Sequence, residues 1–362
     1  MDLPLRKSSR GPRTISLREE LTFFPTYGYR TPGGGWTLMV QGCVFNPRIS
    51  WIHRLPIMGF IRRAMQVDSV GMDYYRERMR RFFVDYSRNR AVTVRVVGRQ
   101  IAVGHTGAAG LFREGVPISI DEAAALPRRP DLGPDWVEFA AVLSEGDERI
   151  VLGTAQLLEA KGVSIISDVD DTLKHSNVPN RRDLFHNTFS RPFVSIAGMP
   201  ELYRKCTQAG AALHFVSGSP WQLYEPLRTF FDEAGLPPGS YHLKRFQFRE
   251  TARKIRGMSP QRGHKRMAIQ PIISSFPERK FILVGDSGEQ DPEIYAEFLR
   301  DYPQQVIGVF IRGVRQETVH DPRLQRTFDG LPADRWDTFQ AAEDLSEKLL
   351  KLVLPGEGSE TV

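Results

Sequence analysis

Cysteine is nearly absent from this 362-residue chain; the two present, Cys43 and Cys206, lie far apart in sequence. That scarcity excludes a disulfide-stapled scaffold and suits a reducing compartment. The opening stretch MDLPLRKSSRGPR is basic but has no apolar core segment, which argues against a secretory signal. No apolar run approaches the roughly 18 residues of a membrane span. Zinc-finger spacing, a basic region leading into heptads and an RNA-binding aromatic signature are all missing, so nucleic acid is not an expected partner. Nor is there an internal repeat. These absences predict a cytoplasmic protein without a transmembrane segment.

What is present is ordinary in bulk and unusual in detail. The length suggests about two domains, and 41% hydrophobic with 25% charged residues suffices for a packed core. A net charge of +6 favours acidic partners such as anionic lipid surfaces or phosphorylated substrates.

The chain has two rhythms. From Gly35 to about residue 160 it reads as short strands with turns between them: Trp36–Phe45, Ala91–Val97, Trp136–Leu143 and Ile150–Leu157. This predicts a β-sandwich domain over 35–160, after a basic, flexible segment 1–34. An insertion at about 51–86 mixes Arg62, Arg63, Arg76, Arg78, Arg80 and Arg81 with large apolar residues. It reads as basic amphipathic helices, packed on the sandwich or lying on an anionic membrane. Over 161–354 strands and helices alternate, which predicts an α/β domain with a parallel sheet. Its strands are expected at Val163–Ser167, Ala212–Val216, Phe281–Val284 and Val306–Ile311. Helices are expected at Met199–Ala209, from Ser219 as N-cap to Gly235, from Asp291 to before Pro303, and at about 338–353. Residues 355–362 read as a disordered tail.

Ligands of open α/β sheets bind beyond the carboxyl ends of the strands. Three of the four expected strands end in groups suited to phosphoryl transfer. The first runs into Asp168-Val169-Asp170-Asp171-Thr172, the second into Ser217-Gly218-Ser219, and the third into Gly285-Asp286-Ser287-Gly288 with Asp291 beyond. Lys265 lies between the second and third. Taken singly, each has a plain structural reading. Asp168 suits a turn, Asp291 before Pro292 suits an N-cap, Lys265 suits a solvated surface, and Ser219 reads as a cap and nothing more. His175, Asn177 and Arg312 read as local structure or substrate contacts. Joint order is what sets the main residues apart.

That ordered set resembles the haloacid dehalogenase superfamily in all four of its motifs, and implies its Rossmann-like parallel sheet. The resemblance makes Asp168 the nucleophile, forming an aspartyl-phosphate that water then cleaves. Asp170 becomes the general acid and base. Its presence points to a phosphohydrolase, because superfamily dehalogenases lack this acid. Mg2+ would be held by Asp168, the Asp170 carbonyl and Asp286, with Asp291 in support. Ser217, Gly218 and Thr172 would serve the phosphate-binding loop, and Lys265 would cancel charge.

The wording is narrower still. SDVDDTLKHSNV, RPFVSIAGMPELY, FVSGSPWQLYEPLRTFF and FILVGDSGEQDPEIY resemble the phosphatidate phosphatase family typified by the fungal actin-patch enzyme. GWTLMVQGCVFNPR resembles the first strand of that family's β-rich domain. The resemblance implies hydrolysis of phosphatidate to diacylglycerol, with phosphatidate or another anionic lipid at a membrane surface as partner and peripheral attachment there. The chain shows no long Pro-rich tail of the kind that enzyme uses to bind partners. Two other classes stay open: a phosphatase for a soluble phosphomonoester or phosphoprotein, and a non-catalytic adaptor using the sandwich. The four intact motifs argue against the adaptor.

Overall fold

The computed structural model describes residues 13–48, 71–245 and 261–354. Arg62 and Arg63 of the expected basic insertion and the 355–362 tail lie outside the described residues. The insertion's described end is a helix, Gly71–Arg80, followed by a 3-10 turn at Arg81–Phe83.

Nine strands form the first sheet: β1 Glu20–Phe23, β2 Thr26–Arg30, β3 Trp36–Asn46, β4 Asp85–Tyr86, β5 Ala91–Val96, β6 Arg99–His105, β7 Leu111–Ile118, β8 Trp136–Ala141 and β9 Leu152–Leu158. They run β1-β3-β2-β9-β8-β5-β6, with β4 and β7 also on β3. All pairs are antiparallel except β2 with β9. The sheet is therefore one mixed hydrogen-bonded network. It begins earlier than expected, since β1 and β2 fall inside the segment taken as flexible. Pro25 divides them into pieces too short to stand out, although Leu21, Phe23 and Tyr27 are buried. Period-two burial builds the core: Val92, Val94 and Val96 point inward with Leu38, Val40, Val137 and Phe139. Gly42 permits a close crossing, because a Cβ there would lie 2.3 Å from the Thr22 carbonyl oxygen.

Glu19, just ahead of β1, is buried against Arg90, whose Nε donates to both carboxylate oxygens at 2.7 and 2.8 Å. Burial alone would raise this carboxyl, but Arg90 and the Ser16 amide outweigh it and bring it from 4.5 down to about 2. An acid depressed in this way stabilises the fold above its unfolded value, and the contribution is lost as pH falls through the folded one. Glu19→Gln should cost roughly 2 kcal/mol at neutral pH. The cost should shrink as pH falls from 4.5 to about 2. Urea unfolding at neutral and acid pH checks this; a pH-independent cost would exclude the ionic contribution.

The second sheet is wholly parallel: β10 Val163–Ser167, β11 Ala212–Pro220, β12 Ser240–Lys244, β13 Lys280–Asp286, β14 Val306–Arg312 and β15 Trp336–Phe339. Its order is β12-β11-β10-β13-β14-β15. β12 and β15 were not anticipated. Both are short edge strands mixing polar with apolar residues, without the continuous apolar run of a central parallel strand. Alternate residues serve opposite faces. Ile165, Leu213 and Ile282 meet helices Met199–Gln208, Tyr224–Ala234 and Ala342–Val353, while Ile166, Val216 and Leu283 meet helices Gln261–Ser275 and Asp291–Asp301. From β10 the chain builds outward through β11 and β12, then returns to β13 on the other side. The crevice between β10 and β13 is the topological switch point.

One expected helix start needs correction. Ser219 is not an N-cap: β11 runs on through Pro220 with an irregular register, and the α-helix begins at Tyr224 after a 3-10 turn. The Ser-Pro pair imitates a helix start, but the strand's extended backbone continues there.

The two sheets are joined by contacts as well as by chain. Gln41 donates to the Tyr241 carbonyl at 2.8 Å, and the Tyr241 amide donates to the Pro25 carbonyl at 3.0 Å. At the crossover, the buried Arg279 donates to the carbonyls of Glu159, Lys161 and Val163 and to Ser164 Oγ. Cys43 and Cys206 are free and buried.

Candidate active site

The sequence-expected residues gather at the carboxyl ends of β10, β11 and β13. Asp168 follows β10 and is fully buried. Lys265, from the helix Gln261–Ser275, places Nζ 2.7 Å from Asp168 Oδ1 and 3.0 Å from Glu289 Oε2, and also pairs with Asp291 Oδ1. Asp291 is the first residue of its helix rather than its N-cap, which is Gln290. Its other oxygen accepts from the Asp286 amide at 3.2 Å. Asp286 ends β13, and its Oδ1 accepts from the amides of Gly288 and Glu289 at 2.6 and 3.2 Å.

Asp170 belongs to a neighbouring but separate arrangement. Its Oδ1 meets Lys174 Nζ at 2.8 Å and Ser176 Oγ at 2.6 Å. Its Oδ2 accepts from Ser217 Oγ at 3.1 Å and Ser219 Oγ at 2.8 Å. Gly218 faces the cluster; a Cβ there would lie 3.8 Å from the Glu289 carboxylate oxygens. Thr172 Oγ1 lies 3.4 Å from Asp168 Oδ2. The third aspartate of the motif shapes the loop. Asp171, at φ 55, accepts from the amides of Ser176, Asn177 and Val178. Arg312 Nη1 supports that loop by donating to the Asp171 carbonyl at 2.8 Å. Asn177 donates to Asp183 at 2.9 Å, a local contact. His175 is held to the loop through its amide, which donates to the Val194 carbonyl.

Sequence reasoning missed Glu289, Lys174, Ser176 and the Asp170 contact of Ser219. Glu289 was the most legible of these, since it stands two residues before Asp291 in the quoted GDSGEQD.

Charge is unbalanced. Four carboxylates, Asp168, Asp286, Glu289 and Asp291, surround one ammonium. Burial, then Asp291 and Asp286 in spite of Lys265, raises Asp168 well above the usual carboxylate range. Burial and Asp291 raise Asp286 likewise. Burial would lower Lys265, but Asp168, Asp291 and Glu289 overcome it and keep the ammonium charged. Asp170 is the contrast: burial would raise it, yet Lys174 and the hydroxyl donors hold it below the ordinary value.

This donor set fits a hard divalent cation. Oxygens of Asp168, Glu289 and Asp291 lie within 4.8 Å of one another. Asp286 Oδ2 is buried without a hydrogen-bond partner, and Asp168 Oδ1 faces Lys265 without hydrogen-bonding alignment. The trio differs from the expected ligand set by including Glu289. Asp286 lies outside it, and the Asp170 side chain is committed elsewhere.

Fold and site together define an α/β domain with an anionic, lysine-bearing centre at its switch point. Residues 163–313 match the family described as phosphatidate phosphatase APP1, catalytic domain. It is 36% identical over 164 residues to the phosphatidate phosphatase APP1 of Saccharomyces cerevisiae, covering 44% of this chain and 27% of that protein. It is 34% identical over 188 residues to an uncharacterized protein of Schizosaccharomyces pombe, covering 50% of this chain and 30% of that one. The chain thus spans less than a third of either relative's length. Among the described residues, no helix is long and apolar enough to cross a membrane.

Proposed function

We propose that this chain is an Mg2+-dependent phosphatidate phosphatase with a haloacid dehalogenase-type catalytic domain at about 161–354. The strand-rich region before it is assigned as a sandwich-like domain. The observation that carries this reading is the contrast between Asp168 and Asp170, two residues apart. One carboxylate lies against Lys265 in a cation-demanding cluster, and the other is held apart by its own donors. With a cation bound in that cluster to offset the charge that raises Asp168, this carboxylate is left ionised for attack. Asp170 stays outside the cluster, on the side of the Ser217 hydroxyl.

In the proposed reaction an Asp168 oxygen attacks phosphorus, forming the aspartyl-phosphate P–O bond as the bond to the ester oxygen breaks. Asp170, whose carboxyl regains a proton as the phosphate dianion approaches and Ser217 turns away, gives that proton to the leaving oxygen, then takes one from the water that cleaves the acyl phosphate. Lys265 offsets charge on Asp168 and the phosphoryl oxygens. Ser217 and the Gly218 backbone bind phosphate oxygens, for which the Ser217 hydroxyl turns from Asp170, and Thr172 steadies Asp168. Asp168, Asp286 and the Asp170 carbonyl would hold Mg2+, with Asp291 in support and Glu289 added by its place in the cluster. When bound, the ion neutralises charge between nucleophile and substrate. Cytoplasmic location with peripheral attachment to an anionic membrane fits a phosphatidate substrate and the net charge of +6.

Phosphate release from phosphatidate in mixed micelles, compared with soluble phosphomonoesters, tests this reading. Activity on phosphatidate should vanish in EDTA and return with Mg2+. Asp286→Ala should weaken Mg2+ binding in calorimetry; unaltered affinity would remove Asp286 from the ligand set. Hydrolysis of soluble esters alone would replace the lipid reading with the soluble one.

A further inference from the structure

The molecule holds a second buried lysine that the reaction above does not use. Lys174 is 1% exposed, with Nζ 2.8 Å from Asp170 Oδ1, hydrogen-bonded to Ser176 Oγ at 2.5 Å and 4.8 Å from the centre of the Phe193 ring. Among the ion pairs of the described residues, Lys174 pairs with Asp170 alone. The loop is built to bring them together. Asp171 turns the backbone at φ 55, its amide donates to the Lys174 carbonyl at 2.7 Å, and its carboxylate fixes the next three amides.

We propose that Lys174 is a positioning residue that aims the Asp170 carboxyl at the leaving oxygen, a role that rests on the phosphatase reading above. Each Asp170 oxygen has two donors of different kinds. Ser217 and Ser219 on Oδ2 have hydroxyls that can rotate, and Ser217 is the residue assigned to the phosphate. Lys174 and Ser176 on Oδ1 are both buried, with the Lys174 ammonium over the Phe193 ring. When substrate draws Ser217 away, Oδ1 stays anchored by Lys174 and Ser176, and Oδ2, left with the Ser219 hydroxyl alone, has an open position to face the ester oxygen. A proton donor accelerates the reaction only if it is held within reach of that oxygen. Lys174 therefore affects the step in which the leaving group needs a proton, and has little influence where it does not.

The test uses two phosphate esters with the full chain. Phosphatidate in mixed micelles expels an alkoxide that needs protonation, whereas 2,4-dinitrophenyl phosphate expels a stable phenolate. Lys174→Met should lower kcat on phosphatidate about 100-fold and on the aryl ester less than about 5-fold, because general acid catalysis contributes roughly 10²–10⁴ where it operates. Equal losses on both esters, or no loss on phosphatidate, overturn the proposal. If Lys174→Met fails to show a native circular dichroism melt, Ser176→Ala carries the test. It keeps the buried ion pair while removing a donor from the same oxygen, and it should show the same selectivity at about 10-fold; equal losses again overturn the role. Wild-type protein inactive on both esters would overturn the phosphatase reading itself, and this proposal with it.

Discussion

Asp168→Asn should abolish phosphate release, by about 10³-fold or more, while making the metal-free protein more stable. The first effect follows, on the proposed mechanism, because an amide cannot serve as the attacking oxygen, and neither Asp170 nor Asp291 is free to replace it. Asp170 is engaged by Lys174, Ser176, Ser217 and Ser219, and Asp291 by Lys265 and the Asp286 amide. The second follows from linkage. An acid whose folded value is raised binds its proton more tightly in the fold, so its ionisation costs stability once pH passes the unfolded value near 3.8. That cost grows until pH passes the raised folded value. Asparagine removes it, and Lys265 keeps Glu289 and Asp291 as partners. Thermal melts in EDTA at neutral pH, beside phosphate-release assays, give both readings. Near wild-type turnover would end the covalent mechanism. A less stable variant would show that the carboxylate is favourably paired without metal.

Lys265→Ala should do the opposite to stability. It leaves Asp168, Asp286, Glu289 and Asp291 buried with no ammonium among them. Removing one partner from a buried charge cluster typically costs about 3–5 kcal/mol. In EDTA the variant should melt well below wild type. Saturating Mg2+ should recover much of the difference, because an ion that binds only the folded state stabilises it by mass action. Turnover should stay low with Mg2+ bound, since the charge facing the phosphoryl group is gone. Failure of Mg2+ to raise the melting temperature would separate the cluster from metal binding. Full recovery of turnover would limit Lys265 to a structural role.

Sequence order alone drew together Asp168, Ser217, Lys265, Asp286 and Asp291, because ends of parallel strands converge wherever such a sheet forms. The strands that carry chemistry were legible for the same reason: central parallel strands such as Val163–Ser167 are apolar on both faces. Edge strands were not, as β12 and β15 show. Lys174 escaped notice because its burial depends on the Asp171 turn and on Phe193, about twenty positions away. No periodicity reports a contact of that kind. Ser219 was misread for a subtler reason. A Ser-Pro pair after a strand is a fair sign of a helix start, and only the continuation of β11 turns its hydroxyl toward Asp170. The early strands β1 and β2 were hidden by Pro25, and the expected N-terminal boundary was correspondingly late.

The Arg279 contacts have a consequence for how the protein unfolds. Arg279 lies inside the segment that matches the catalytic family, but two of its acceptors, the Glu159 and Lys161 carbonyls, lie before that segment begins. After its end come β15 and the helix Ala342–Val353, whose Leu345 and Leu349 complete the core beneath β10. On the other sheet, Phe24 and Phe45 share that same core with Trp221. A boundary drawn by sequence similarity at 163–313 is therefore not a boundary of cooperativity. Excising that stretch would leave a guanidinium without two of its carbonyls and an aromatic surface without its cover. The stretch that matches the family is shorter here than the packed unit it belongs to.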